Sequence, residues 1–138
     1  KAAVERACEL AKEAGAKRAM PLPVSAPFHC ALMTPAAERM AVALAEVEMA
    51  APIVPLVANV TASPTSDPDV IREQLVQQVT GVVRWSESVS WLTDNGVTHM
   101  VEAGSGKVLS GLARRINKEL STTALNTGAD IDAFMETL

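Results

Sequence analysis

Two histidines, two cysteines and one glycine-rich turn are the features of this 138-residue chain whose chemistry and spacing bear most on function. His29 stands in the run Pro23-Val24-Ser25-Ala26-Pro27-Phe28-His29-Cys30, a loop stiffened by two prolines. Imidazole is the usual general base near neutral pH, and a loop held by rigid neighbours can present one. A loop histidine also fits a bland surface or packing role, and position alone does not choose between the two. Cys30 adjoins His29 in sequence, but neighbouring side chains diverge and a Cys–His pair is made in space. Cys8 and Cys30 are too few and too far apart for a disulfide framework or a metal site, so both read as small packing residues in a reduced, cytoplasmic setting. His99, inside the apolar segment Val97–Ala103, reads as a packing residue.

The segment Ala103-Gly104-Ser105-Gly106-Lys107-Val108-Leu109-Ser110 resembles a phosphate loop only at first sight. That pattern needs glycine where Val101 stands and serine or threonine where Val108 stands, and both fail. It reads instead as a tight strand-to-helix turn whose glycines allow close backbone approach, with helix-start N–H groups that face an anion weakly. No serine occupies the Gly-x-Ser-x-Gly elbow that presents a nucleophile, and no carboxylate pair or His/Cys/Asp cluster has metal-ligand spacing. The residues therefore offer a base without a nucleophile, and no metal.

The elements that must position these groups follow from periodicity and punctuation. Val4 to Ala14 keeps Val4, Ala7, Cys8, Ala11 and Ala14 on one helical face and stops at Gly15. Ala19 to Ser25 is extended, its prolines denying both helix and a central strand. Thr34-Pro35 reads as an N-cap and first helical residue opening a helix to about Met49. Pro55 to Val60 reads as a short buried strand, followed by a Ser/Thr/Pro/Asp loop. Asp67-Pro68 opens a helix that Gly81 ends, and Trp85 to Asn95 a helix that Gly96 ends. Val97–Ala103 and Thr122–Asn126 read as strands, Gly106–Lys118 and Asp130–Leu138 as helices. Such alternation predicts an α/β layered fold with a largely parallel sheet of about four strands.

Composition narrows the function class. Hydrophobic residues at 49% with 20% charged residues describe a chain that forms a core rather than a disordered tail. A net charge of −4 argues against nucleic acid as partner. No apolar run is long enough to cross a membrane. The chain opens on Lys1, directly in helix-forming sequence with no cleavage pattern, which suggests a piece of a longer protein.

The run Gly15 to Met33, the strand Pro55–Val60 (PLVANV), the helix end Leu75–Trp85 (LVQQVTGVVRW) and Glu102–Leu112 (EAGSGKVLSGL) together resemble the malonyl-CoA:acyl carrier protein transacylase family, in that order and spacing. The likeness runs from the first residue to near the last. Ser105 departs from it, standing where the family usually has proline, which bears on the turn more than on the chemistry. The resemblance implies a Ser–His acyltransferase of fatty-acid synthesis. It would need no cofactor beyond its substrates, malonyl-CoA and phosphopantetheinylated acyl carrier protein. It implies an α/β fold: residues 1–33 end a small ferredoxin-like α+β subdomain, and residues 34–138 are the C-terminal portion of a hydrolase-like large subdomain with parallel sheet.

His29 matches the catalytic base of that family, and Gln78 the position whose main-chain carbonyl accepts a hydrogen bond from the imidazole. Independently of the likeness, Gln78 falls in the last turn of its helix, where carbonyls lack intrahelical partners and the dipole is negative. Phe28 resembles the malonyl-selective form of the loop; it fits equally a hydrophobic plug beside the histidine. The nucleophilic serine, the oxyanion donors and the arginine for the malonyl carboxylate belong, by the same likeness, to an N-terminal part that this chain lacks and that becomes one of its partners. Two other readings stand beside this one: a non-catalytic module that docks the acidic carrier protein through Lys17, Arg18, Arg114 and Arg115, or an acyltransferase domain of a polyketide synthase.

Overall fold

A computed structural model describes all 138 residues, Lys1 to Leu138. Helix α1 (Ala2–Glu13) leads into a segment without regular structure that holds His29, and a single 3-10 turn (Ala31–Met33) then runs into α2 (Thr34–Ala45). Strands β1 (Leu56–Ala58) and β2 (Ser63–Thr65) follow, then α3 (Pro68–Thr80) and α4 (Trp85–Asp94). The chain closes with β3 (His99–Ala103), α5 (Val108–Ile116), β4 (Ser121–Leu125) and α6 (Gly128–Met135).

The fold is mixed α/β with a parallel pair. β3 and β4 run parallel in the register His99 with Ser121 through Ala103 with Leu125, and α5 makes the crossover between them. The other two strands differ from expectation. β1 pairs antiparallel with β2 in the register Leu56 with Thr65, so the Ser/Thr/Pro/Asp segment read as loop is half of a hairpin. A proline at its centre, Pro64, is tolerated because a two-stranded ribbon is all edge.

Helix signals fared well where caps were chemical. Asp67 Oδ1 accepts from Asp69 and Val70 backbone N–H groups with Pro68 behind it, and Gly81 ends the helix. Gly96 has φ of 88°, the left-handed turn that a side chain resists. Thr34 is no N-cap: the 3-10 turn has begun the helix before it, and its hydroxyl donates to the Ala31 carbonyl at 2.7 Å. α2 also ends at Ala45 rather than near Met49. Arg72 of α3 reaches across to its end, donating to the carbonyls of Leu44 and Val47. These are orphan acceptors of a helix C-terminus satisfied by a cation.

The core is small. Val89, Ala113 and Leu120 are buried between α4, α5 and the start of β4, with Trp85, Met100 and Ile116 packed around them. Ile71 and Gln74 are buried on α3. Only 6 of 138 residues are buried in all, and the accessible surface is 10149 Å². A self-contained protein of this mass would expose about 6,900 Å². Large apolar side chains are part of that surface: Leu22, Val24, Phe28, Leu32, Val42 and Ile53 all stand more than half exposed.

Candidate functional site

The site is where the loop before α2 meets the end of α3. His29 has φ of 59°, in the left-handed region. For a residue other than glycine that conformation costs about 1–2 kcal/mol and persists only where surroundings impose it. Local bonds hold the loop: Phe28 N donates to Ala26 O, Cys30 Sγ to Pro27 O at 3.2 Å, and Met33 N to Cys30 O. The turn aims the imidazole at α3.

There His29 Nδ1 lies 2.9 Å from the main-chain oxygen of Gln78. A carbonyl only accepts, so Nδ1 carries the proton and the lone pair of the neutral ring is on Nε2. Nε2 has no partner within the chain, and the residue is exposed. The arrangement is thus an oriented imidazole with its basic nitrogen free. The Gln78 side-chain nitrogen approaches the same Nδ1 at 3.4 Å, but a protonated nitrogen offers no lone pair there, and the amide instead donates to Gly81 O at 3.1 Å. Phe28 is 55% exposed beside it and packs as no plug within this chain.

Sequence reasoning missed what supports the α3 end. Arg84 donates its backbone N–H to Asn59 O and a guanidinium N–H to Thr61 O, each at 2.8 Å, holding the β1–β2 turn. Gln74, buried, reaches Thr61 Oγ1 at 3.4 Å. A cationic residue just before a helix start was the one available signal, and it reads ordinarily as solvent-facing.

The glycine-rich turn differs from its reading in two respects. Gly104 and Gly106 have φ of 132° and 94°, and a Cβ at either would meet nothing within 4 Å. Their glycines serve backbone conformation, not close approach. The α5 start is also already occupied: the Glu102 carboxylate accepts from Leu109 N at 3.1 Å and Ser110 N at 2.8 Å. These backbone donors, Ser110 foremost, hold Glu102 below the usual carboxylate range. No anion from outside is needed there. His99 sits exposed on the parallel pair rather than buried, its Nε2 3.0 Å from Thr123 Oγ1 and its ring 5.9 Å from that of Phe134. It links β3 to β4 and faces α6, and it makes no contact with His29. Neither cysteine is in a disulfide, and no group of His, Cys, Asp and Glu is arranged to hold a metal. No helix is long and apolar enough to cross a membrane.

No family model matches the chain. Individual proteins do. It is 50% identical over 135 residues to the malonyl CoA-acyl carrier protein transacylase of Salmonella typhimurium, an alignment that takes in 98% of this chain and 44% of that protein. Its fold matches the crystal structure of the acyl-carrier-protein-S-malonyltransferase of Bartonella henselae with a TM-score of 0.89 at 56% identity, over 98% of this chain and 43% of that one. It matches equally, with a TM-score of 0.89 at 46% identity, a holo complex of a type II PKS acyl-carrier protein with its malonyl-transacylase, over 100% of this chain and 45% of that one. The chain spans less than half the length of these relatives, and the part it matches is C-terminal.

Proposed function

We propose that this chain, homologous to the C-terminal part of the malonyl CoA-acyl carrier protein transacylases, supplies the general base of a serine acyl transfer that moves a malonyl group from malonyl-CoA to the phosphopantetheine thiol of an acyl carrier protein. The observation that carries the reading is the 2.9 Å contact from His29 Nδ1 to the Gln78 carbonyl, which leaves Nε2 basic and outward. His29 would take the proton of a serine as its oxygen bonds the malonyl carbonyl carbon, then return that proton to the CoA sulfur as the thioester breaks. In the second half-reaction it would take the carrier thiol's proton and give it back to the serine oxygen. The helix-end carbonyl, in place of a carboxylate, orients the ring and stabilises its cation.

The serine, the oxyanion donors and a cation for the malonyl carboxylate lie in the rest of the protein, on this reading. The large apolar surface supports it, since that much exposed Leu, Val, Ile and Phe needs a cover. Residues 1–33 and 34–138 would belong to the small and large subdomains, with His29 at their boundary and Phe28 selecting the acyl group. The basic cluster of Arg114, Arg115 and Lys118 around Gly111 on and after α5 would meet the acidic carrier protein. The test is malonyl transfer by the full-length protein with His29→Ala. The rate should fall by roughly 10⁴, as for other members of such triads, with folding intact. His99→Ala should leave turnover unchanged. Equal losses at both histidines would remove the case for His29.

A further inference from the structure

We infer that Arg84, together with the contact between Gly81 and Val60, positions the His29 imidazole by clamping the β1–β2 turn onto the end of α3. The inference rests on the base role just given to His29, and concerns what keeps the Gln78 carbonyl in place. A helix C-terminus frays when nothing holds it, because its last carbonyls have no partners along the chain. Here the orienting carbonyl belongs to that fraying turn, three residues before the stop at Gly81.

The turn is gripped from outside. A Cβ on Gly81 would stand 2.8 Å from Val60 Cγ2 and 2.9 Å from Gln77 O, so the hairpin and the helix stop touch with no space between them. Gly81 has φ of −86°, which any residue adopts, so glycine is required for room and not for conformation. Both neighbours of Val60 are then held by one residue: Arg84 bonds Asn59 O through its backbone and Thr61 O through its guanidinium. Gln74, one turn before Gln78, adds the bond to Thr61 Oγ1, and the Gln78 amide closes onto Gly81 O. Residues 59–61 therefore touch α3 below and beyond the carbonyl that the imidazole uses. Arg84 also pairs with Glu87, a half-exposed ion pair on α4 of the kind that contributes little. Glu87→Ala accordingly serves as the control for loss of that pair alone.

The experiment uses the full-length protein with Arg84→Ala, Arg84→Lys, Gly81→Ala and Glu87→Ala. It reads kcat and KM for transfer from malonyl-CoA to the carrier protein, circular dichroism for folding, and the ¹⁵N imidazole signals of His29. Arg84→Ala and Gly81→Ala should each lower kcat by about tenfold, one 1.4 kcal/mol step, with KM for malonyl-CoA within about twofold. Both should weaken the Nδ1–H signature of His29. Arg84→Lys, which keeps a donor for Thr61 O, should recover most of kcat, and Val60→Ala should recover part of it in the Gly81→Ala background by removing the side-chain clash. Glu87→Ala should change nothing. Unaltered kcat and ¹⁵N signals in folded Arg84→Ala and Gly81→Ala overturn the clamp. So does an equal loss in Glu87→Ala. A full rate in His29→Ala would instead defeat the base role, and the ¹⁵N signals would still decide the clamp.

Discussion

The two ends of this molecule are held together by different forces. The region around His29, made of the loop before α2, the β1–β2 hairpin and α3, is tied by directional polar bonds: Arg72 to Leu44 and Val47, Gln74 to Thr61, Arg84 to Asn59 and Thr61, and His29 to Gln78. The region from α4 to α6 is held by a small apolar core at Val89, Ala113 and Leu120 and by one parallel strand pair. Apolar burial stabilises without direction, whereas a hydrogen bond fixes both distance and angle. A site that needs one nitrogen aimed at one carbonyl is built from the second kind of force, and the scaffold beside it from the first. Substitutions in the two regions should then fail differently: one in turnover, the other in stability.

The largest separation should come from Thr80→Pro. A proline in the last turn of α3 removes a donor, disfavours helix in the residue before it and costs about 3 kcal/mol in a helix interior. Turnover of the full-length protein should fall on the order of a hundredfold while the α4–α6 region stays folded, which circular dichroism and the emission of Trp85 and Trp91, both on α4, would show. Emission lost in parallel with turnover would mean that the two regions are one cooperative unit. Val89→Ala should do the converse. It deletes two fully buried methyl groups, so stability should drop by about 2–3 kcal/mol in denaturant titrations. The folded fraction should turn over at an unchanged rate.

Part of the fold was legible in the sequence, and the limits have physical reasons. Caps with their own chemistry were read correctly, as at Asp67-Pro68 and Gly81, because the signal and the bond are local. Thr34 was misread because its hydroxyl had a nearer acceptor, Ala31 O, once a 3-10 turn preceded it. The β1–β2 hairpin escaped because Ser63-Pro64-Thr65 has turn composition and makes its strand only by pairing. The pairing of His29 with Gln78 followed from the family likeness and from the helix-end argument. The contacts proposed as its clamp could not be read at all: residues 59–61 are remote in sequence from Gly81 and Arg84, and they meet only in the fold. The function class rested on the likeness, since a base without a nucleophile specifies no reaction.

A smaller effect sharpens the comparison at the level of a single atom. Every residue supplies the same main-chain carbonyl, so Gln78→Ala should hold turnover within roughly tenfold, less than the 1.4 kcal/mol that factor represents. A thousandfold loss with folding intact would show that the amide side chain takes part, and the polar region would then depend on side chains at the site itself.

The smallest effect should be one of pH, on the α4–α6 side. Glu102 is held low by the backbone N–H groups of Ser110 and Leu109. Asp130 is held low by the Thr127 hydroxyl and by the N–H groups of Asn126 and Thr127. A carboxylate with a depressed folded value contributes stability above its ordinary range and loses it as pH falls through the folded value. Thermal unfolding followed by tryptophan emission should therefore shift slightly downward as the pH is lowered from about 5 toward 3. Glu102→Gln should flatten part of that slope and lower the plateau a little. An unchanged slope would mean that these caps do not report on the region's stability.

The Arg72 bonds have a mechanical consequence. The His29 loop runs straight into α2, Arg72 pins the far end of α2 to α3, and the Gln78 carbonyl brings α3 back to His29. The path closes on itself like a braced triangle whose members are two stiff rods and whose joints are hydrogen bonds. A braced triangle cannot shear: displacing one corner requires breaking a joint or bending a rod. The imidazole therefore leaves its place only by giving up the bond to the Gln78 carbonyl, its one joint to α3.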